Sequence, residues 1–195
     1  MIKIGIARNL PDDCLLPAFE AALTGGFTHL EITMNSAHAQ AQIATCVKAF
    51  GDRVLIGAGT VRNPSELERA LKAGARFIVT PNICAQVIHT CNQEGIPVFP
   101  GALTPTEVWQ AWELGANLVK VFPVGALGGA SYIQDLKGPF DQVPLLAFGG
   151  VTLENWPLYL KAGISGVALG GSLFKPAWLE KKDWQSITTY AKGFE

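Results

Sequence analysis

Little in this 195-residue chain is charged, and what charge there is nearly cancels: fifteen Lys and Arg stand against sixteen Asp and Glu, for a net charge of -1. Nucleic acid and anionic membrane surfaces both demand a surplus of basic side chains on one face, so neither is expected as a partner. No apolar run approaches the roughly 20 residues that a membrane-spanning helix needs, even though 49% of the residues are hydrophobic. Cysteine is sparse as well. Cys14, Cys46, Cys84 and Cys91 include no Cys-x-x-Cys pair and have only three histidines beside them. Such usage predicts reduced, packed thiols and no metal site. The opening segment Met1-Ile2-Lys3-Ile4-Gly5-Ile6 lacks the basic and long apolar regions of a secretory signal, and a cytoplasmic location is expected.

What is present is a high apolar content in a chain of single-domain length, so residues 1–195 are read as one domain. Glycine punctuates it. Gly26, Gly51, Gly74, Gly95, Gly115, Gly138 and Gly163 recur every 20–25 residues or so, each after a helix-like stretch and just before an apolar run, the period of a short helix, a short strand and two tight loops. Glycine at a helix end supplies the left-handed conformation that residues with a Cβ resist. The apolar runs are Ile2–Arg8, His29–Met34, Val54–Gly57, Phe77–Thr80, Val98–Gly101, Leu118–Phe122, Leu145–Phe148 and Gly166–Leu169. Helix-like stretches fall between them at Pro11–Leu23, Ala37–Phe50, Pro64–Ala73, Ala85–Glu94, Pro105–Leu114, Tyr132–Leu136 and Leu153–Ala162, with a last one around Trp184–Lys192. Continuous apolar strands alternating with helices predict an α/β fold with a buried parallel sheet, here the closed (β/α)₈ TIM barrel in preference to an open doubly wound sheet. A barrel of 195 residues is a short one, with short loops.

Barrels of this kind carry their chemistry at the C-terminal ends of the strands, which narrows the candidates. Lys120, inside Leu118-Val119-Lys120-Val121-Phe122-Pro123, sits among apolar residues where burial of an ammonium is costly. Desolvation there favours the neutral amine, the form that attacks carbonyl carbon. Glu31, in His29-Leu30-Glu31-Ile32-Thr33-Met34, is the matching anomaly, either half of a structural ion pair or a general acid/base. Arg8 ends the first strand, placed for a salt bridge or to clamp a carboxylate. Gly57-Ala58-Gly59-Thr60 and Thr80-Pro81-Asn82 bring small or polar groups to the same rim. Phe148-Gly149-Gly150-Val151 and Gly170-Gly171-Ser172 close the last two strands, the frequent phosphate site of these barrels, where glycine lets backbone N–H groups reach an anion.

In this order the segments Leu30-Glu31-Ile32-Thr33, Ile56-Gly57-Ala58-Gly59-Thr60-Val61, Val79-Thr80-Pro81-Asn82, Val119-Lys120-Val121-Phe122-Pro123, Phe148-Gly149-Gly150-Val151 and Gly170-Gly171-Ser172 resemble the KDPG/KHG class I aldolases, over nearly the whole chain from Ile4 to about Pro176. The resemblance implies that Lys120 is the Schiff-base lysine and Glu31 the general acid/base, with no metal and no cofactor. It also implies that Arg8 and Thr60 hold a 2-oxo acid carboxylate, while Gly149, Gly150, Gly171 and Ser172 hold a terminal phosphate. Substrates would be 2-dehydro-3-deoxy-6-phospho sugar acids, cleaved to pyruvate and glyceraldehyde 3-phosphate, and the assembly a homotrimer.

The chain departs from the gluconate-cleaving pattern in having Met34-Asn35-Ser36 where an Arg is usual and Phe148 where a Thr is usual. Asn35, Pro81 and Phe148 therefore join the substrate-facing set and resemble the galactonate-cleaving members, which act on the C4 epimer. Phe148 is larger than the Val expected there, implying a narrower pocket. The helix that usually precedes the first strand has no counterpart in this sequence, so the barrel floor is expected to be either open or closed by another element. Three alternatives stand beside this reading: a 4-hydroxy-2-oxoglutarate aldolase, a phosphate-binding isomerase or epimerase, and a phosphate-ligand binding protein without turnover.

Overall fold

Nine β-segments make up the sheet in the computed structural model, which describes residues 1–194. They are β1 (Ile2–Ala7), β2 (His29–Thr33), β3 (Leu55–Gly59), β4 (Ile78–Val79), β5 (Val98–Phe99), β6 (Gly101–Ala102), β7 (Val119–Val121), β8 (Leu145–Phe148) and β9 (Gly166–Leu169). Their order is β5-β4-β3-β2-β1-β9-β8-β7-β6, and each pair runs parallel. The one segment beyond the eight strands expected arises from a single proline, which separates β5 from β6. Pro100 has no N–H to give to a ladder, so the one strand read from Val98 to Gly101 is divided, its first half pairing with β4 and its second with β7. The two ends of the sheet are therefore one stretch of chain, and the barrel closes as expected.

Around it lie α1 (Asp12–Thr24), α2 (Ala39–Phe50), α3 (Pro64–Lys72), α4 (Ala85–Gln93), α5 (Pro105–Glu113), α6 (Ala130–Lys137), α7 (Trp156–Lys161), α8 (Pro176–Glu180) and α9 (Trp184–Lys192). Thr104 and Glu107 form both halves of a capping box at the start of α5, satisfying two otherwise orphaned donors. Two elements were not legible beforehand, α8 and a 3₁₀ turn over Val124–Leu127. At five and four residues, neither is long enough to show an amphipathic period. The glycine beat marks every helix-to-strand joint, but not always by left-handed geometry: Gly51 and Gly138 are right-handed. Gly51 is needed for space instead, since a Cβ there would lie 2.6 Å from the Val47 carbonyl oxygen. No helix of the described residues is long and apolar enough to cross a membrane.

Strand side chains alternate between two cores. The outward set packs under the helices, and the inward set is a separate cluster of Ile4, Ile6, Phe77, Val79, Phe99, Leu118, Leu146 and Ala168. The floor, expected to be open or closed by another element, is instead filled from the strands themselves. His29 meets Phe77 edge-on at 5.2 Å between ring centroids, and Phe77 in turn lies 5.7 Å from Phe99. Burial among these rings lowers the His29 pKa to about 4, so the imidazole is neutral packing at physiological pH. Gly57 makes this layer possible, because a Cβ at that position would sit 2.4 Å from the Phe77 ring. Gly57→Ala is expected to cost about 1–3 kcal/mol by overpacking, read as a lower thermal unfolding midpoint with an unchanged far-UV spectrum.

Candidate active site

Because side chains of a strand alternate, Lys120 and Glu31 both fall on the inward face, above the apolar layers. Lys120 is 5% exposed and Glu31 1%. Opposite effects act on the carboxyl. Burial drives its pKa up, while the charges of Lys120 and Arg8 pull it down; burial wins, and the value stands at about 7. Burial likewise lowers the Lys120 pKa, offset by the Glu31 carboxylate and reinforced by the Arg8 cation. One carboxylate oxygen, Glu31 Oε2, is buried with no hydrogen-bond partner. An uncommitted acceptor of this kind is costly unless a ligand or a proton uses it.

Space for that carboxyl comes from Gly59, legible in the sequence only as a small residue at the rim. A Cβ on Gly59 would lie 1.5 Å from Glu31 Oε1, so the neighbouring strand must carry glycine where the acid leans across it. The next residue, Thr60, has φ of 56°, a left-handed conformation that a β-branched residue adopts only under strain, and strain of this kind clusters at functional sites. Thr60 Oγ1 accepts from Arg8 Nη2 at 3.2 Å, while Arg8 Nη1 donates to Asn35 Oδ1 at 2.8 Å. The ends of β1, β2 and β3 are thus joined in a polar arc beside Glu31. Pro81 stands on the same rim and its carbonyl faces Gly101, where a Cβ would approach it to 2.6 Å.

On the opposite side the parallel register of β7 with β8, which pairs Lys120 with Leu146, brings the residues two further along side by side. The Phe122 and Phe148 rings stack at 4.9 Å between centroids and 25° between planes. Lys120 Nζ lies 5.0 Å from the Phe122 centroid and 4.5 Å from that of Phe148. Phe122 carries no charge and no obvious signal in the sequence; its position two residues after a buried lysine was the available clue.

Beyond Phe148 opens a cavity of about 850 Å³, lined by Arg8, Phe148, Gly149, Gly150, Gly171 and Ser172 among others. Its volume is within the range of about 300–1,000 Å³ typical of small-molecule sites. Gly149 and Gly150 have φ of 91° and 88°, and their loop is braced from both sides: Asn155 Nδ2 donates to the Gly150 carbonyl at 2.8 Å and the Gly125 N–H to the Gly149 carbonyl at 2.9 Å. The structure therefore divides the expected set in two. Lys120, Glu31, Thr60, Asn35 and Pro81 do not line the large cavity, whereas Arg8 and Phe148 belong to both parts. The outer half of the cavity, contributed by Leu10, Cys14 and Leu179, depends on α8 and was not anticipated. Among the described residues no group of three or more His, Cys, Asp or Glu side chains converges as metal ligands would.

An amine made less basic by burial and a carboxyl raised to about 7 by it share the inside of a closed barrel beside a glycine-lined cavity, a pairing suited to imine chemistry. The sequence profile of the KDPG and KHG aldolases matches residues 4–190. The chain belongs to this family. It is 37% identical to the 2-dehydro-3-deoxy-6-phosphogalactonate aldolase of Escherichia coli (strain K12), over 98% of this chain and 93% of that one. The KHG/KDPG aldolase of the same strain is 34% identical over 91% of this chain and 83% of its own length. Among solved structures, a native KDPGal structure superposes with a TM-score of 0.91 at 35% identity, covering 100% of this chain and 92% of the other. A KDPG aldolase from Legionella pneumophila, solved with pyruvate captured as a covalent carbinolamine, reaches a TM-score of 0.90 at 28% identity, covering 99% and 93%. The protein is accordingly a carbon–carbon lyase, a class I aldolase.

The buried acid has a measurable cost. The pKa of Glu31 is raised from 4.5 to about 7 on folding, so between these values the folded chain keeps a proton that the unfolded chain releases, and stability falls as pH rises through that window. Glu31→Gln is expected to be more stable than the parent at pH 8, by at most about 3 kcal/mol. The advantage should vanish near pH 4, as followed by denaturant unfolding at the two pH values.

Proposed function

We propose that this aldolase cleaves a 2-dehydro-3-deoxy-6-phospho sugar acid, preferentially of the galactonate type, to pyruvate and glyceraldehyde 3-phosphate. The reading is carried by one observation, the buried Lys120 and Glu31 sharing a barrel interior with each pKa displaced toward neutrality. In our reading the neutral Lys120 amine adds to the C2 carbonyl carbon, and the carbinolamine loses water to give an iminium. That cation is the electron sink for the C3–C4 bond. Glu31 as carboxylate takes the C4 hydroxyl proton while the C3–C4 electron pair moves into the iminium. Aldehyde and enamine result. The same proton, returned to C3, restores the iminium, and water releases pyruvate and the free amine.

Arg8, held by Asn35 and Thr60 at 2.8 and 3.2 Å, is assigned with Thr60 to the substrate carboxylate, an arrangement that suits bidentate recognition. Gly149, Gly150, Gly171 and Ser172, all lining the large cavity, are assigned to the phosphate, and Pro81 to the rim the substrate passes. The galactonate preference rests on Asn35 and Phe148, two positions that differ from the gluconate-cleaving pattern, and on the 37% identity with a phosphogalactonate aldolase. Four unpaired cysteines suit a reducing cytoplasm. A homotrimer is the assembly that family resemblance suggests, and exposed Leu127 and Leu158, at 43% and 59%, offer apolar surface for it.

Borohydride added with saturating pyruvate is expected to leave a covalent adduct on Lys120, seen by peptide mass spectrometry; no mass shift, or an adduct on another lysine, would refute the assignment. Cleavage of the two C4 epimers, coupled to pyruvate detection, should favour the galactonate form by at least about tenfold in kcat/KM, a difference of about 1.4 kcal/mol in transition-state binding. Equal rates would remove the argument from Asn35 and Phe148. Because the free enzyme must hold Glu31 as a carboxyl, whose proton leaves with the C2 oxygen as water and so frees the carboxylate that takes the C4 hydroxyl proton, kcat/KM should fall as pH rises through about 7, and this limb should be absent from the residual activity of Glu31→Gln.

A further inference from the structure

Iminium formation places a full positive charge on Lys120 Nζ in a site that is nearly closed to water, since the lysine is 5% exposed. The charge balance is explicit. Amine and ketone join as a neutral carbinolamine, one proton moving from nitrogen to oxygen; a second proton, supplied by the Glu31 carboxyl, then leaves with the oxygen as water, and nitrogen becomes cationic. The carboxylate left behind answers part of that charge. Its Oε1, however, leans toward Gly59 on β3, across the barrel from β7. The groups closest to Nζ on its own side are the faces of two aromatic rings, at 4.5 and 5.0 Å, and those rings are held against each other at 4.9 Å.

We infer that the stacked pair Phe122 and Phe148 is an aromatic clamp that stabilises the Lys120 iminium through its π faces, with Phe148 the decisive member. The inference rests on the Schiff-base reading given above and extends it to residues that neither donate nor accept a proton. A cation within about 6 Å of a ring centroid is attracted to the negative face of the ring, and the attraction is strongest where water is excluded. The two distances meet that condition, and the stacking is fixed by the strand register of β7 on β8, so the rings do not have to be recruited when the charge appears. Phe148 also stands on the boundary of the large cavity that Lys120 itself does not line. The ring is thus the nearest wall between the nascent cation and the open part of the site, where solvent would otherwise compete.

The test compares Phe148→Leu, which keeps apolar bulk but loses the π face, with Phe148→Tyr, which keeps the ring. The readout is the pyruvate concentration that half-saturates borohydride trapping on Lys120. Phe148→Leu is expected to need roughly 5- to 30-fold more pyruvate, and Phe148→Tyr to stay within about twofold of the parent. Phe122→Leu, a second and independent removal of a π face, should move the midpoint in the same direction by a smaller factor. Thermal unfolding of each variant identifies any loss of fold; should Phe148→Leu fail to fold, the Phe122→Leu midpoint decides the matter. Leucine and tyrosine variants that behave alike, or an unshifted Phe122→Leu, would overturn the clamp while leaving the Schiff base intact. A parent enzyme that pyruvate and borohydride do not label would overturn both.

Discussion

Two ionisable side chains of opposite sign are buried in one barrel interior, and neither is paid off by a close ion pair. The surrounding structure is arranged around that constraint. Glu31 keeps one oxygen without a partner, and its pKa is pushed to about 7 because desolvation exceeds what the Lys120 and Arg8 charges return. A fold optimised for stability alone would have an apolar residue at each position. The retained cost lowers the basicity of the amine and raises that of the carboxylate, the directions that nucleophilic addition and proton transfer favour.

The neighbouring residues make sense as accommodations. Gly59 leaves the volume that the Glu31 carboxyl fills, and Thr60 accepts an unfavourable backbone so that its hydroxyl meets Arg8. Lower in the barrel the same logic operates with apolar groups: Gly57 yields to the Phe77 ring, and His29, neutral through burial, completes a floor of rings. At the top, Phe122 and Phe148 close over Nζ. The interior thus changes along the barrel axis from an aromatic plug to a polar arc, and Lys120 and Glu31 sit at the boundary between them.

Family membership alone would leave the character of this particular site open. Asn35 ties down Arg8 at 2.8 Å, and Phe148 supplies an aromatic wall beside Lys120 Nζ.

Patterns local in the chain were readable without a structure. Glycine spacing gave the number of helix-to-strand joints, apolar runs gave the strands, and a lysine and a glutamate inside such runs stood out because burial of charge is expensive wherever the strand ends up. Strand alternation then put both on the inward face, since its period does not depend on the fold around it. Facts that depend on residues distant in sequence were not readable. The division of one strand at Pro100, the need for Gly59 opposite Glu31, the contact of Phe122 with Phe148 and the contribution of α8 to the cavity each arise from the register of one segment against another. The sequence by itself determined the barrel and singled out the buried lysine and glutamate; only the tertiary structure decided what surrounds that pair, because desolvation, available volume and the approach of π faces are properties of packing across strands.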